Sequence, residues 1–407
     1  MKRIFILTLV LLFAKEVIIG CTTAIISGNA TPDGRPLLWK HRDTDNFNNK
    51  ILFCKGTRFD YIGLVDSDDT LNQVWGGTNS AGFSIMNAAS YNLKPNTDHS
   101  ELKDQEGIIM RMALETCETV QEFYNMLEVL PKPLGVEANF GVIDAHGGAI
   151  YIEANNFSLQ LYDANNPKDA PSGYLIRTNF SFSGREDEGI GYNRYNTTKK
   201  LIDEVYKSKK VTPEFFLTKA TLSLRHELIR TDLSKEFTRL GSENKIYPLK
   251  DYIVRYSSSS TILVHGVKPG ESPKLVTTWV KLGFQPASVS IPLWVAAGDS
   301  IPDILTAPSG KNAKLCNNTL KLKKRCFPYE KWTEGETYVS LEKLGNRDGS
   351  GLIQLTTLFD KEMIPRADHL VETWRRIGFD DEEAIEFYKE TDKQVRQFYS
   401  ITLDLKQ

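Results

Sequence analysis

The fold is decided by the stretch Cys21-Thr22-Thr23-Ala24-Ile25-Ile26-Ser27-Gly28, which is followed by Asp33-Gly34-Arg35-Pro36-Leu37-Leu38-Trp39-Lys40-His41-Arg42-Asp43. Two apolar, β-branched runs flank a segment rich in Asn, Gly and Pro. This pattern predicts two strands, Thr22–Ser27 and Pro36–Arg42, joined by a turn.

Working outward, the chain alternates between strand-rich and helix-rich parts. Further strands are predicted at Ile51–Lys55 and Tyr61–Asp66, within hairpins at Gln73–Tyr91 and Asn139–Ala154, and at Ser260–Gly266, Lys274–Leu282 and Val289–Val295. Helices are predicted at Gln105–Leu130, at 193–207, from Thr212, and from about Phe359 to Gly378, with a last helix capped by Asp380. We therefore expect an α+β protein with antiparallel sheets covered by helices on their outer faces.

The N-terminus has the pattern of a secretory signal. Lys2 and Arg3 precede the apolar run Ile4–Ala14, which is too short to span a bilayer. We divide the chain into a signal peptide (1–20), one large domain (21–350) and a C-terminal helical extension packed on it (351–407). An N-terminal membrane anchor is the alternative interpretation. No later segment is apolar enough to span a membrane, and the protein is expected to be exported, periplasmic or secreted if bacterial.

Composition excludes several partners. The formal net charge is −2 in 407 residues, which gives a nucleic acid no basic surface to bind. Six scattered histidines and five cysteines show no metal-site spacing, so neither a metal nor another cofactor is expected. Whether Cys316 and Cys326 form a disulfide stays open, as does a homo-oligomer.

Cys21 combines two chemical functions if residues 1–20 are removed. A free thiol has a pKa near 8.5, and an α-amino group titrates at about 7.7–8.0. The amino group can therefore accept the thiol proton, directly or through water. One residue would supply both the nucleophile and the general base.

The motifs from Cys21 onward resemble those of N-terminal-nucleophile cysteine hydrolases, in particular the penicillin acyltransferase-like family (acyl-CoA:6-aminopenicillanic acid acyltransferase) and its relative choloylglycine hydrolase. The resemblance covers roughly Cys21 to Val295 and continues through Asn79–Asn87, Asn139–Glu153, Arg177–Phe180 and, more loosely, Arg255–Ser258. It implies a four-layer αββα sandwich, with two antiparallel sheets between helices.

The resemblance also implies roles for individual residues. Asp43 would hold the amino group or thiol of Cys21, Arg255 would support the site electrostatically, and Asn179 with Asn87 would donate to the oxyanion. Such a donor is typically worth about 3–4 kcal/mol in the transition state. Lys40, Arg42 and Phe180 are the candidate substrate contacts. Related hydrolases often carry Arg three residues before the Asp, whereas this chain has Lys40, a point charge that cannot form a bidentate clamp.

The resulting hypothesis is an exported cysteine amidohydrolase or acyltransferase that cleaves a linear amide C–N bond of a small N-acyl amide through an acyl-enzyme on Cys21. One alternative is a dipeptidase of the same superfamily. Another is a lipid-anchored binding protein, because Ile18-Ile19-Gly20-Cys21 partly resembles a lipoprotein cleavage box and acylation of Cys21 would abolish catalysis. The acyl group and the amine of the substrate, hydrolysis versus acyl transfer, and the agent that cuts Gly20–Cys21 stay open.

Overall fold

A computed structural model describes residues 20–69, 73–240 and 245–403. Apart from Gly20, the predicted signal peptide lies outside the described residues. The strands are β1 Thr22–Ile26, β2 Leu37–Asp43, β3 Asn49–Cys54, β4 Tyr61–Asp66, β5 Gly76–Asn79, β6 Ser84–Ala89, β7 Ala138–Ile143, β8 Ala149–Ala154, β9 Leu159–Asp163, β10 Tyr174–Arg177, β11 Arg225–His226, β12 Thr231–Asp232, β13 Ile246–Pro248, β14 Ser258–His265, β15 Thr277–Leu282, β16 Ile291–Leu293 and β17 Tyr338–Ser340.

The α-helices lie between and after the strands of the two large sheets. They are α1 Glu106–Thr116, α2 Val120–Val129, α3 Tyr192–Tyr206, α4 Pro213–Phe215, α5 Lys314–Cys326, α6 Leu341–Leu344, α7 Leu352–Ile377 and α8 Asp381–Gln397.

Two large antiparallel sheets pack face to face. The first has the strand order β10-β1-β2-β14-β15-β16, and the second runs from β3 to β9 in sequence order. Between the sheets, Ile25 and Leu38 of the first share one buried core with Ile62 and Met86 of the second. Strands β1 and β2 contact β6 and β7 across this core.

Helices cover both outer faces. Helices α1 and α2 pack on the second sheet, where Phe83, Phe123 and Phe140 form a separate core. Helix α3 packs on β1 and β10, and α5 packs on β15 of the first sheet. This arrangement confirms the predicted α+β fold, a four-layer αββα sandwich.

One helix prediction was wrong in detail. The segment Gln105–Leu130 forms two helices, α1 and α2, because the chain becomes extended at Cys117 and restarts at Thr119. The Thr119 side chain accepts a hydrogen bond from the backbone N–H of Glu122, which makes Thr119 an N-cap. The apolar spacing continues across the break, so periodicity alone indicated one helix.

Cys316 and Cys326 do not pair. Both are free and buried, and both belong to the same helix, α5. Ten residues of helix separate them by about 15 Å, far beyond the Cα separation of about 7 Å that a disulfide spans at most. The pairing that was left open is therefore absent from this structure.

The C-terminal helices contribute to the main core rather than lying on its surface. Met363, Val371, Trp374 and Tyr399 are buried in the same cluster as the first sheet. Within the described part of the chain, none of the helices has both the length and the apolar character needed to cross a membrane.

Candidate active site

The β1–β2 hairpin separates the candidate site into two sides. Thr22 pairs with His41, and Thr23 pairs with Lys40. Because strand side chains alternate, Cys21 lies on the same face as Thr23 and Lys40, whereas Asp43 lies on the face of Thr22 and His41. The first face points to the second sheet, since Thr23 Oγ1 accepts a hydrogen bond from Tyr151 of β8.

Asp43 is the centre of a buried polar cluster behind Cys21. Its carboxylate accepts hydrogen bonds from Arg255 Nη2 at 2.7 Å and from Ser258 Oγ at 3.0 Å. His41 Nε2 lies 3.5 Å from the same carboxylate and 2.9 Å from Ser258 Oγ. Burial would raise the pKa of Asp43, but Arg255 and then His41 outweigh it and hold that pKa below its usual value. The group is therefore an anion at neutral pH.

The contact between Cys21 and Asp43 runs through the backbone. Cys21 Sγ lies 4.0 Å from the main-chain carbonyl oxygen of Asp43, while the carboxylate points to Arg255. Cys21 is 8% exposed, so its thiol is almost covered. In the described chain, Asp43 is thus linked to Cys21 through its backbone carbonyl, and its carboxylate does not contact the thiol directly.

The carbonyl group of Gly20 is held by two guanidinium groups. Its oxygen accepts from Arg255 Nη2 and, at 3.3 Å, from Arg194 Nη1. A methyl group on Gly20 would meet Asn179 Oδ1 at 2.5 Å and Arg194 Nη2 at 2.8 Å. A larger residue before Cys21 would displace these side chains, and the Gly20–Cys21 peptide bond lies between two guanidinium groups.

Arg194 connects the residues around this pocket. From the first turn of α3 it donates to Cys21 O at 2.5 Å, to Thr22 Oγ1 at 3.0 Å and to Asn179 Oδ1 at 2.8 Å. Burial, followed by repulsion from Arg255, lowers the pKa of Arg194 to about 9, so it is cationic at neutral pH. It fixes the start of β1 against the Asn179 side chain.

Asn179 lies beside the Gly20–Cys21 junction, with its amide partly engaged. The amide nitrogen donates to Ala89 O at 2.8 Å, and the amide oxygen faces Arg194. One of the two N–H hydrogens therefore stays available to a substrate oxygen. The predicted oxyanion role is compatible with this geometry and stays a prediction.

Lys40 and Asn87 meet on the face of the hairpin that carries Cys21, opposite the face that carries Asp43. Lys40 Nζ donates to Asn87 Oδ1 at 2.8 Å and to Trp75 O at 2.7 Å. Lys40 is 1% exposed, so its ammonium is occupied by protein groups. Its predicted contact with substrate thus gains no support from its position, whereas Asn87 is brought close to the site.

Two predicted substrate contacts are engaged in other interactions. Arg42 forms a bidentate, buried ion pair with Asp66, at 2.7 and 2.9 Å. Phe180 stacks on Tyr192, with ring centroids 4.1 Å apart, and also contacts Phe182 and Tyr195. Both residues stabilise the surroundings of the site, and their roles in substrate binding stay predictions.

Arg194, His41 and Ser258 were missed as members of the site. His41 is fully buried and, among the described residues, its Nδ1 has no hydrogen-bond partner. Arg194 gives no local signal, because an arginine at a helix start usually faces solvent. Ser258 belongs to the Arg255–Ser258 motif, and its proximity to the Asp43 strand could have been suspected from that motif.

In the parts of the chain that the structure describes, no group of three or more His, Cys, Asp or Glu is arranged to bind a metal ion. The functional groups gathered at the site are a thiol, two amides, one carboxylate, three cations, the His41 imidazole and the Ser258 hydroxyl.

Comparison with known proteins gives one family match over part of the chain. Residues 39–213 match the family model described as acyl-coenzyme A:6-aminopenicillanic acid acyl-transferase. The match confirms the resemblance to the penicillin acyltransferase-like family over a span that begins after Cys21 and ends before Arg255. It supports an enzyme that acts on amide bonds, as a hydrolase or an acyltransferase. No curated protein matches the chain.

Three solved structures show weaker likeness. The Caenorhabditis elegans N-acylethanolamine-hydrolyzing acid amidase ortholog is 18% identical over 47% of this chain and 86% of its own, with a TM-score of 0.36. A mutant of conjugated bile acid hydrolase from Clostridium perfringens is 13% identical over 68% and 92%, with a TM-score of 0.43. Penicillin V acylase from Agrobacterium tumefaciens is 11% identical over 68% and 86%, with a TM-score of 0.35. Likeness at this level does not define a substrate.

Proposed function

We propose that this chain is an exported cysteine amidohydrolase or acyltransferase whose nucleophile is Cys21, set free as the first residue by removal of residues 1–20. The observation that carries the proposal is the enclosure of the Gly20–Cys21 junction by Asn179, Arg194 and Arg255. A junction between a leader and a domain without function has no reason to be buried among two arginines and an amide.

Removal of Gly20 would create both reactive groups in one place. The new α-amino group would replace the Gly20–Cys21 peptide nitrogen, and the volume of Gly20 would become free for a ligand. The amino group would accept the thiol proton, since the two groups belong to one residue and titrate in the same range. The anionic Asp43, held by Arg255, would favour the protonated form of that amino group after the transfer.

The reaction would then proceed in two steps. The Cys21 sulfur attacks the amide carbonyl carbon, and the resulting oxyanion accepts hydrogen bonds from Asn87 and Asn179. The C–N bond breaks, the amine leaves with the proton held by the α-amino group, and a thioester remains on Cys21. Water, or a second amine, then attacks the thioester and restores the thiol.

The test combines processing with catalysis. N-terminal sequencing and intact mass of the exported protein should show Cys21 as an unmodified first residue. The Cys21→Ser variant should lose amine release from a panel of N-acylated amines by about 10³-fold or more with unchanged folding, and Cys54→Ser on β3 should retain it as the matched control.

Three outcomes would separate the alternatives. A diacylglyceryl mass on Cys21 would reject the nucleophile and favour the lipid-anchored binding protein. Turnover of dipeptides without turnover of N-acyl amines would favour the dipeptidase. Full activity in Cys21→Ser would reject the mechanism.

A further inference from the structure

Lys40 occupies a position that has no access to substrate. Its ammonium is buried and donates to two oxygens, Asn87 Oδ1 on β6 and Trp75 O directly before β5. A lysine ammonium has three hydrogens and no acceptor. Two hydrogens are used by these contacts, and the third remains for a group on the same side of the hairpin.

These contacts fix the orientation of the Asn87 amide. Because Lys40 can only donate, the amide oxygen must face it and the amide nitrogen must point away. Among the described residues, that nitrogen donates no hydrogen bond. The Asn87 N–H groups are therefore the end of the side chain that is left for an incoming carbonyl oxygen.

Cys21 lies on the same face of the β1–β2 hairpin as Lys40, one alternation from Thr23, which pairs with Lys40. The charges facing Lys40 come from several elements: Cys21 next to β1, Arg42 on β2, Asp66 on β4 and Glu106 on α1. Asp66 is already paired with Arg42. A thiolate at Cys21 would have no such paired cation, so it would be attracted to the Lys40 ammonium.

We infer that Lys40 is a positioning residue, which orients the Asn87 amide toward the substrate oxygen and stabilises the Cys21 thiolate electrostatically, without touching substrate. This role rests on the proposed function, because Cys21 is taken as the nucleophile. It differs from the substrate contact first expected for Lys40.

The charge of Lys40 depends on pH within the working range of an enzyme. Burial lowers the pKa of Lys40 to about 8, and the attraction of Cys21 and Asp66 only partly opposes this. Burial also raises the pKa of Glu106 to about 7, so this carboxyl becomes anionic below the pH at which Lys40 loses its proton. Lys40 is cationic at neutral pH and becomes neutral as the pH rises through about 8. Catalysis should therefore decline on the alkaline side.

The experiment uses the processed full chain and three variants, Lys40→Met, Lys40→Arg and the control Lys50→Met. Lys50 is also a buried strand lysine, but within the described residues its ammonium donates to the Ala307 and Pro308 carbonyl oxygens. Alkylation of Cys21 by iodoacetamide at pH 7 is followed by peptide mass spectrometry, and kcat for an N-acyl amine is measured from pH 6 to 10.

We expect Lys40→Met to slow alkylation about tenfold, the equivalent of one pKa unit, and to lower kcat by about 10²-fold. Lys40→Arg keeps its charge throughout, so its alkylation rate stays within about threefold of wild type, a shift under half a pKa unit. The alkaline decline near pH 8 should disappear in this variant. Lys50→Met should match wild type in both measurements.

An unchanged alkylation rate in Lys40→Met, or an alkaline decline that persists in Lys40→Arg, would overturn the inference. Thermal unfolding checks that each variant is folded, and if Lys40→Met is not, the pH profile of Lys40→Arg decides. Alkylation does not depend on turnover. Slower alkylation in Lys40→Met together with an absence of amide hydrolysis in wild type would therefore reject the proposed function and leave only the electrostatic effect of Lys40 on the Cys21 thiol.

Discussion

Replacing Asp43 by Asn removes one negative charge from the polar cluster with little change in shape. The carboxylate is the partner of Arg255 at 2.7 Å and also accepts from Ser258. Breaking a buried ion pair by removing one partner typically costs about 3–5 kcal/mol. Arg255 keeps contacts with Ser257 Oγ and Tyr252 O, and its side chain is 14% exposed. We therefore expect the lower end, about 3 kcal/mol of unfolding free energy.

Activity should fall by more than stability explains. If Asp43 keeps Arg255 and the Cys21 amino group in place, Asp43→Asn should lower kcat per folded molecule by about 10³-fold. The dependence of the unfolding free energy on pH should also change at acid pH. Because the pKa of Asp43 is lowered in the folded state, its contribution is present above the unfolded value of about 3.9 and is lost as the pH falls through the lower folded value. The variant should lack this part of the acid destabilisation.

Asp360→Asn is the matched control. Asp360 forms a fully buried ion pair with Lys281 of β15 at 2.7 Å. Across the first sheet, Lys281 lies opposite Thr261, Thr261 opposite His41, and His41 opposite Thr22. Lys281 is therefore three strands, or about 14 Å, from β1. Urea unfolding should show a similar loss of unfolding free energy, about 3–5 kcal/mol. The kcat per folded molecule should be unchanged. The reasoning is refuted if Asp43→Asn keeps kcat within about threefold, or if Asp360→Asn lowers it equally.

Two further substitutions test how the site is supported. Arg194→Met should lower kcat about 10²-fold by releasing Asn179, measured with the same amine-release assay; a change in KM alone would contradict a role at the oxyanion. Glu153 accepts from Arg177 Nε at 2.6 Å and from Ser183 N at 2.7 Å, so Glu153→Gln should loosen the segment after Asn179 and speed its limited proteolysis. An unchanged cleavage rate there would show that other contacts hold the segment.

The hairpin at the start of the domain was predictable because its signal is local. Strands β1 and β2 begin and end within about a residue of the prediction, since β-branched residues and a turn rich in Gly and Pro act over a few positions. Asp43 and Asn179, named from the resemblance, lie near the Gly20–Cys21 junction, and their roles stay predictions. Their contacts depend on strand register, which alternation fixes once the hairpin is known.

Helix α5 shows where local signals failed. No helix was predicted in this segment, and a disulfide between its two cysteines was left open, whereas Leu315 and Leu322 of the helix are buried in the core. Lys323 is buried over the ring of Tyr256, with its ammonium 3.9 Å from the centroid. A lysine covered by aromatic rings from distant segments has the same sequence signal as a solvated one, so only tertiary structure distinguishes them.

The alternation of β1 has a consequence for how the chain would be matured. Under the proposed function, a cut one residue late would expose Thr22, whose hydroxyl accepts from Arg194 on the opposite face and cannot replace the thiol. A cut one residue early would leave Gly20 in the space bordered by Asn179 and the two arginines, with its own amino group away from the sulfur. Under the proposed function, a cut misplaced by a single residue in either direction would therefore yield a protein without catalytic activity.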